Sequence, residues 1–282
     1  MKLSRGVLYM AASALGFSIM GLLVKVASRR LPTGEIVFAR ALVTLSLSYV
    51  MVRRHGLSPW GHRRAPLMVR GALGFCGLTA YYVAIARLPL ADATALQNST
   101  PLLTAVLAWW LLDEPIGWPT AGALACGIAG VALITRPSGN GLDSIGVAVA
   151  LAGVVCSSIA YVTVRKLSRT EHPLVIVFYF PLVATPLALP WMIGSFVVPR
   201  PIDLVLLLAI GVTTQIGQVC LTLGLAAERA GRAMTIGYLQ VAFAMMWQTV
   251  AFGELPTVWT LGGASLILGG TLLVAQVTRK RA

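Results

Sequence analysis

Uncharged, apolar runs and short joints rich in proline, glycine and charge alternate along the whole chain. Ten runs are long enough, or nearly so, to cross a bilayer as helices: Gly6–Val24, Ile36–Val52 (interrupted by Arg40), Gly71–Ala86, Ala93–Leu112, Ile116–Thr135, Ser144–Val164, Pro173–Pro199, Leu204–Ala227, Ala233–Gly253 and Leu255–Thr278. The runs are apolar all round and do not alternate, which favours helices over a barrel of strands. Leu31-Pro32-Thr33-Gly34, Asp113-Glu114-Pro115 and Arg136-Pro137-Ser138-Gly139 read as helix stops and turns. The longest joint, Arg53–Arg70, leaves no room for an extramembrane domain. The first run follows Lys2 and Arg5 as a signal peptide would, but its length and the basic residues after it predict a retained helix.

The pattern repeats. A shift of 140 residues lays Gly6 on Gly146, Ser18 on Ser158, Lys25 on Arg165, Val37-Phe38 on Val177-Phe178, Gly71 on Gly211, Glu114 on Glu254 and Gly130 on Gly270. Each half holds five spans, an odd number, so the second copy must enter the membrane in the opposite sense. Residues 1–139 and 140–282 are thus two five-helix units of inverted topology. Repeats of this kind mark secondary transporters that bind solute between the halves.

Charge sets the orientation. Of the 22 Lys and Arg residues, 15 fall on the side that holds both termini, six on the other side and one, Arg40, within a span. The excess of positive charge inside predicts cytoplasmic termini in a multi-pass protein of the bacterial inner membrane.

Composition agrees. The 282 residues are 57% hydrophobic and 11% charged, against roughly 25% charged in a soluble domain. The net charge of +13 comes from short clusters between spans, so it points to topology and not to nucleic acid. Cys76, Cys126, Cys156 and Cys220 each lie in an apolar run, with no metal-binding spacing. His55, His62 and His172 sit in joints, outside any catalytic motif. There is no phosphate-binding loop of the GxxxxGK[ST] kind. The expectation is therefore no enzyme, no metal and no cofactor. The partners are a small solute and the bilayer, with homodimer formation left open.

The candidate chemistry lies in polar residues inside the spans. Ala93–Leu112 carries Gln97, Asn98, Ser99, Thr100 and Pro101 in its middle, out of place against lipid. Thr94, Asn98, Pro101 and Ala105 share one face. Pro101 removes a backbone hydrogen bond and frees the carbonyl of Gln97, so Asn98 with that carbonyl is a candidate solute site. The competing reading is helix–helix hydrogen bonding. Gln215, Gln218 and Thr222 form one stripe of the eighth span. Tyr238, Val241, Met245 and Gln248 form one face of the ninth, with Tyr238 the repeat partner of Asn98. Tyr82, Ser158 and Tyr161 complete the candidate cavity, the tyrosines being equally readable as interfacial anchors. Trp109 and Trp110 read as belt anchors. Arg40 is expected near the outer interface, partly reaching out of the apolar layer and paired with Glu35; with Lys25 these form a candidate gate or coupling group. Glu114 and Glu254 read as caps of the helices that follow them. With no other charge deep in a span, the pocket suits neutral or zwitterionic solutes.

Several stretches resemble a known family. Phe17-Ser18-Ile19-Met20, Glu35-Ile36-Val37-Phe38-Ala39-Arg40, and Ala95-Leu96 through Thr100-Pro101-Leu102 to Leu112-Asp113-Glu114-Pro115 are similar to the EamA family of the drug/metabolite transporter superfamily. The resemblance covers essentially the whole chain. It implies an all-α integral membrane fold of ten transmembrane helices in two inverted five-helix repeats. In that fold spans 1, 3, 4, 6, 8 and 9 line a central cavity, and spans 5 and 10 are peripheral. It implies no particular substrate, since the family includes exporters of amino acids and other metabolites. With the inverted repeat, the leading expectation is a secondary transporter of a small polar or amphipathic metabolite working by alternating access; the alternatives are a non-transporting sensor or assembly subunit, a channel and, last, a membrane enzyme. The second half departs from the pattern, with Gln240-Val241 where Thr100-Pro101 would recur and Gly253 in place of Asp113.

Overall fold

The structure, a computed structural model, describes residues 4–87, 96–135, 143–252, 258–259, 261–263 and 265–270. Helices with defined bounds are α1 (Arg5–Ala27), α2 (Thr33–Arg54), α3 (Arg64–Arg87), α4 (Thr100–Leu112), α5 (Trp118–Thr135), α6 (Ser144–Leu167), α7 (Pro173–Ile193), α8 (Pro201–Ala227), α9 (Ala230–Gly237) and α10 (Leu239–Phe252). Residues 261–263 and 265–270 are helical too. Six helices, α1, α2, α3, α6, α7 and α8, are long and apolar enough to cross a membrane.

Most helices are longer than the uncharged runs, because charge placed at a helix end extends the helix. α2 takes Glu35 into its first turn and Arg53 and Arg54 into its last, each sign matching the helix dipole. α8 starts at Pro201, with the Asp203 carboxylate accepting the Arg200 N–H at 2.8 Å. α3 starts at Arg64, which moves Arg70 from a joint into a helix. α7 is shorter than its run and stops at Ile193, before Gly194.

Two expected spans are not continuous. The fourth turns at Asn98 and Ser99 before α4 begins, and the ninth is divided at Tyr238 between α9 and α10. Pro101 has no N–H to give to the Gln97 carbonyl, so an uninterrupted helix loses a bond there. In the ninth span no proline intervenes; Gly237, a weak helix former, closes α9.

The packing follows the repeat. α1 packs on α8 and α3 on α6; α2 packs on α8 and α3 on α7; α1 meets α10 and α4 meets α6; α2 lies on α7. The 140-residue shift exchanges the members of the first three sets and maps the last onto itself. Glycines make the close approaches. A Cβ on Gly211 would lie 2.3 Å from Val43, and one on Gly71, its repeat partner, 2.8 Å from Val183, the partner of Val43. A Cβ on Gly217 would lie 2.9 Å from the Phe17 ring, and one on Gly77 2.2 Å from Ser157 Oγ. Lipid is as apolar as leucine, so helices in it gain mainly from this close packing and from interhelical hydrogen bonds. Gly130 against the Gly263 carbonyl and Gly270 against Ala123 fit the packing role read from sequence; Gly122 and Gly262 face open space. Apolar side chains cover the outside, among them Val50, Trp109, Trp110, Ile202 and Val205.

Gly211→Ala or Gly217→Ala is expected to destabilise the protein by about 1–3 kcal/mol through overpacking. Gly122→Ala, with no atom of the described residues within 4 Å of its Cβ, is expected to be neutral or to stabilise by up to about 1 kcal/mol. Thermal unfolding in detergent checks both.

Candidate functional site

The break before α4 is fully bonded. The Gln97 carbonyl, released by Pro101, accepts the Thr100 hydroxyl at 2.7 Å. The Asn98 carbonyl accepts the Tyr238 hydroxyl at 3.0 Å, and the Thr100 carbonyl accepts Ser158 Oγ at 3.2 Å. Tyr238 is 2% exposed, and its ring fills the notch at Gly127, where a Cβ would lie 2.4 Å away. The side chains expected to hold solute here, Ser158 and Tyr238, instead satisfy backbone. The freed carbonyl is not open either, because Thr100 has taken it. Thr94 lies outside the described residues. Met245 lies on α10, but its side chain, like those of Val241 and Gln248, is outside the described part.

The polar stripe of α8 divides into two roles. Gln215 is buried, accepts Ser48 Oγ at 3.0 Å and reaches Met51 Sδ at 3.5 Å. It joins α8 to α2, which is the competing reading. Thr222 is fully buried and donates to the Gln218 carbonyl of its own helix at 2.9 Å. Gln218 lies between these two buried neighbours, yet it keeps partial exposure and accepts Arg70 Nη2 at 3.3 Å. Tyr161 is likewise half-buried although Ser157, Ser158 and Val164, one turn to either side, are buried. Gln218 of α8 and Tyr161 of α6 thus keep partial exposure beside buried neighbours.

Two arginines are buried in the bundle. Arg40 is 7% exposed and Arg70 2%. Arg40 shares a stripe of α2 with Ile36, Thr44 and Ser48, all buried, and Arg70 sits in the second turn of α3. The two guanidinium carbons lie 6.0 and 5.1 Å from the centroid of one ring, Phe180 of α7. Gly74 makes room for that ring: a Cβ there would lie 2.9 Å from it. Arg40 Nη1 reaches Met20 Sδ at 3.8 Å. Arg40 Nε, Arg70 Nε and Arg70 Nη1 are buried without a hydrogen-bond partner among the described residues.

This arrangement corrects three expectations. Arg40 does not reach the interface and does not pair with Glu35, whose carboxylate accepts the Val197 N–H at 3.2 Å across the α7–α8 joint. Arg70 is a second charge deep in the bundle. The interior thus holds two buried cations, where no charge but Arg40 was expected deep in a span. Lys25 sits in the last turn of α1 with its side chain exposed. The signal for Arg70 lay in spacing: Arg70, Gly74, Gly77 and Tyr81 share one face of α3, small residues flanking a charge.

The acids are elsewhere. Asp203 pairs with Arg30; Glu228 accepts Ser4 Oγ at 2.5 Å and Arg232 at 3.1 Å; Glu171 accepts the N–H groups of His62 and Arg63. Glu114 accepts Arg165 Nε at 2.7 Å and the Ala230 N–H at 2.8 Å. It caps α9 and not, as expected, the following α5. Arg165 also donates to the Leu225 and Ala226 carbonyls at 3.0 and 2.8 Å, tying α4, α6, α8 and α9 together at one end. A cavity of about 230 Å³ opens beside this cluster, lined by Ala108, Glu114, Trp118, Arg229 and Arg232. Its carboxylate is already engaged, and the arginine pair is not among its walls.

Among the described residues, then, each buried acid has a partner, and the two buried arginines have no acid. Burying an unpaired cation costs several kcal/mol. A cation–π contact returns roughly 0.5–2 kcal/mol and a hydrogen bond to a charged group about 1.5–3, and the Gln218 bond is a long one. The deficit identifies the arginine pair as the chemically reactive part of the interior.

Tyr238→Phe keeps the ring in its notch and strands the Asn98 carbonyl, at an expected cost of about 1–3 kcal/mol. Amide hydrogen exchange just after the break, at Leu102–Thr104, is expected to speed up relative to the rest of the chain.

Comparison with known proteins agrees with this architecture. The EamA-like transporter family matches residues 4–136 and again 144–276. The pseudopaline exporter of Pseudomonas aeruginosa is 34% identical over 278 residues, covering 98% of each chain. The riboflavin transporter of Rhizobium johnstonii is 25% identical, covering 98% of this chain and 92% of its own. Human solute carrier family 35 member G1 is 29% identical, covering 95% and 78%. A solved crystal structure superposes with a TM-score of 0.87 at 17% identity, over 99% of both chains, and so shares the fold. Two family matches that together span nearly the whole chain decide the matter: the protein is a multi-pass membrane protein of the EamA-like transporter family, within the drug/metabolite transporter superfamily.

Proposed function

We propose that the protein is a secondary transporter that carries a small polar or amphipathic metabolite across the cytoplasmic membrane. It does so by rocking two inverted five-helix halves, residues 1–139 and 140–282, about a central site, with ten membrane crossings and both termini in the cytoplasm. The observation that carries this reading is the exchange of packing partners by the repeat shift, centred on Asn98 and Tyr238, which lie 140 residues apart and bond to each other. Two halves related in this way can close at either end with equivalent contacts, which is the physical basis of alternating access. Broken helices at the axis fit the same reading, since irregular backbone at membrane depth is tolerated where it is buried in protein. The Glu114–Arg165–Ala230 cluster ties four helices at one end, and Arg30–Asp203 with Glu35–Val197 does so at the other. In this mechanism each cluster opens in turn. Names of relatives support a transported solute and differ among themselves in what it is, so they do not select one for this chain.

Reconstituted into vesicles loaded with a metabolite extract, the protein is expected to exchange a labelled solute downhill by counterflow. Glu114→Gln, which removes the charge from one closing cluster, is expected to alter the exchange rate at least several-fold while solute binding in detergent persists. Absence of counterflow across a broad panel of metabolites would count against a carrier.

A further inference from the structure

The arginine pair specifies the charge of the solute. We infer that the central site takes an anionic solute, its carboxylate or phosphoryl oxygens held between Arg40 and Arg70. This deepens the transporter reading and rests on it for the word solute, though the anion site itself stands on separate observations.

Both guanidiniums are more than nine-tenths buried. Both are directed at the same Phe180 ring. Three of their nitrogens have no partner, and no salt bridge to either is found among the described residues, although five buried acids lie within reach of other groups. Two like charges left unneutralised in the interior of a membrane protein are costly and functional by default. An oxyanion is the group that relieves them, because guanidinium forks match carboxylate and phosphoryl oxygens. Beside the pair, Gln218, bonded to Arg70, and Tyr161 of α6 keep partial exposure among buried neighbours. Phe180 offers an apolar face beside the anion, so the solute's carbon skeleton has a surface to lie on. A purely structural role fails on a specific point. A structural arginine in a bundle is satisfied by carbonyls, as Arg165 is by Leu225 and Ala226, and Arg40 and Arg70 have no such carbonyl.

The experiment is a thermal-shift titration of the full-length protein in detergent. One arm uses succinate, citrate and glutarate; a second uses phosphate and phosphoenolpyruvate; a third uses the uncharged counterparts succinamide and glutaramide. At least one anion is expected to raise the unfolding temperature by mass action, and its neutral counterpart to leave it unchanged. Arg40→Gln and Arg70→Gln are each expected to weaken that anion about 10- to 100-fold. In case a variant does not fold, the wild-type protein is treated with phenylglyoxal and its arginines read by mass spectrometry. Arg40 and Arg70 are expected to react, and the stabilising anion, but not its neutral counterpart, to protect them. Stabilisation by no anion of either arm, equal stabilisation by the neutral counterpart, or unchanged affinity in folded Gln variants overturns the inference. Counterflow separates the two readings. An anion that binds through the arginines without being exchanged sinks the carrier and keeps the site. A neutral solute exchanged at full rate by Arg70→Gln keeps the carrier and sinks the site.

Discussion

Backbone that leaves the helical ladder inside an apolar layer has no water to bond to. The structure depends on how that constraint is met at the centre of the bundle. Pro101 breaks the ladder, and three carbonyls around it are then claimed by side chains: Thr100 on Gln97, Tyr238 on Asn98 and Ser158 on Thr100. Two of those donors come from the other repeat. The break is therefore also the joint between the halves, and Tyr238 is held in place by the absence of a side chain at Gly127. A polar bond and a steric notch fix the axis about which the helices exchange.

Around that axis the packing uses small residues, because burial against another helix gains little over burial against lipid. Gly71 with Val183 and Gly211 with Val43 are the same contact made twice. Strong polar bonds are kept to the ends, where Glu114–Arg165 and Arg30–Asp203 sit. The middle holds the opposite: two cations, an aromatic ring and a half-exposed amide. Charge satisfied at the ends and unsatisfied in the middle is the distribution a carrier needs, since the ends must hold and the middle must accept.

Much of this was legible in sequence. Hydropathy marked the spans, the 140-residue shift marked the repeat, and the polar middle of Ala93–Leu112 marked the axis, with Asn98 and Tyr238 already paired by the shift. The membership of the EamA-like family follows the same whole-chain pattern. Those features are periodic or compositional, and each is a property of one segment or of one offset. What failed was local charge. Treating charge as the limit of a span trimmed α2, α3 and α8 and left Arg70 in a joint. Glu35 was assigned to Arg40 because it lies five residues away, whereas its partner, Val197, lies 162 residues away.

Sequence by itself thus determined the class of molecule, the number of apolar runs and the two-fold repeat, because bilayer thickness and backbone bonding act on each segment alone. Tertiary structure decided which polar groups are spent and which are free. Ser158, Tyr238 and Gln215 looked like solute ligands and are bonded to protein. Arg70 looked like a cytoplasmic anchor and lies buried beside Arg40 and Phe180. Whether a buried donor is satisfied depends on what another helix brings within 3 Å of it, and no pattern along one strand of sequence carries that distance.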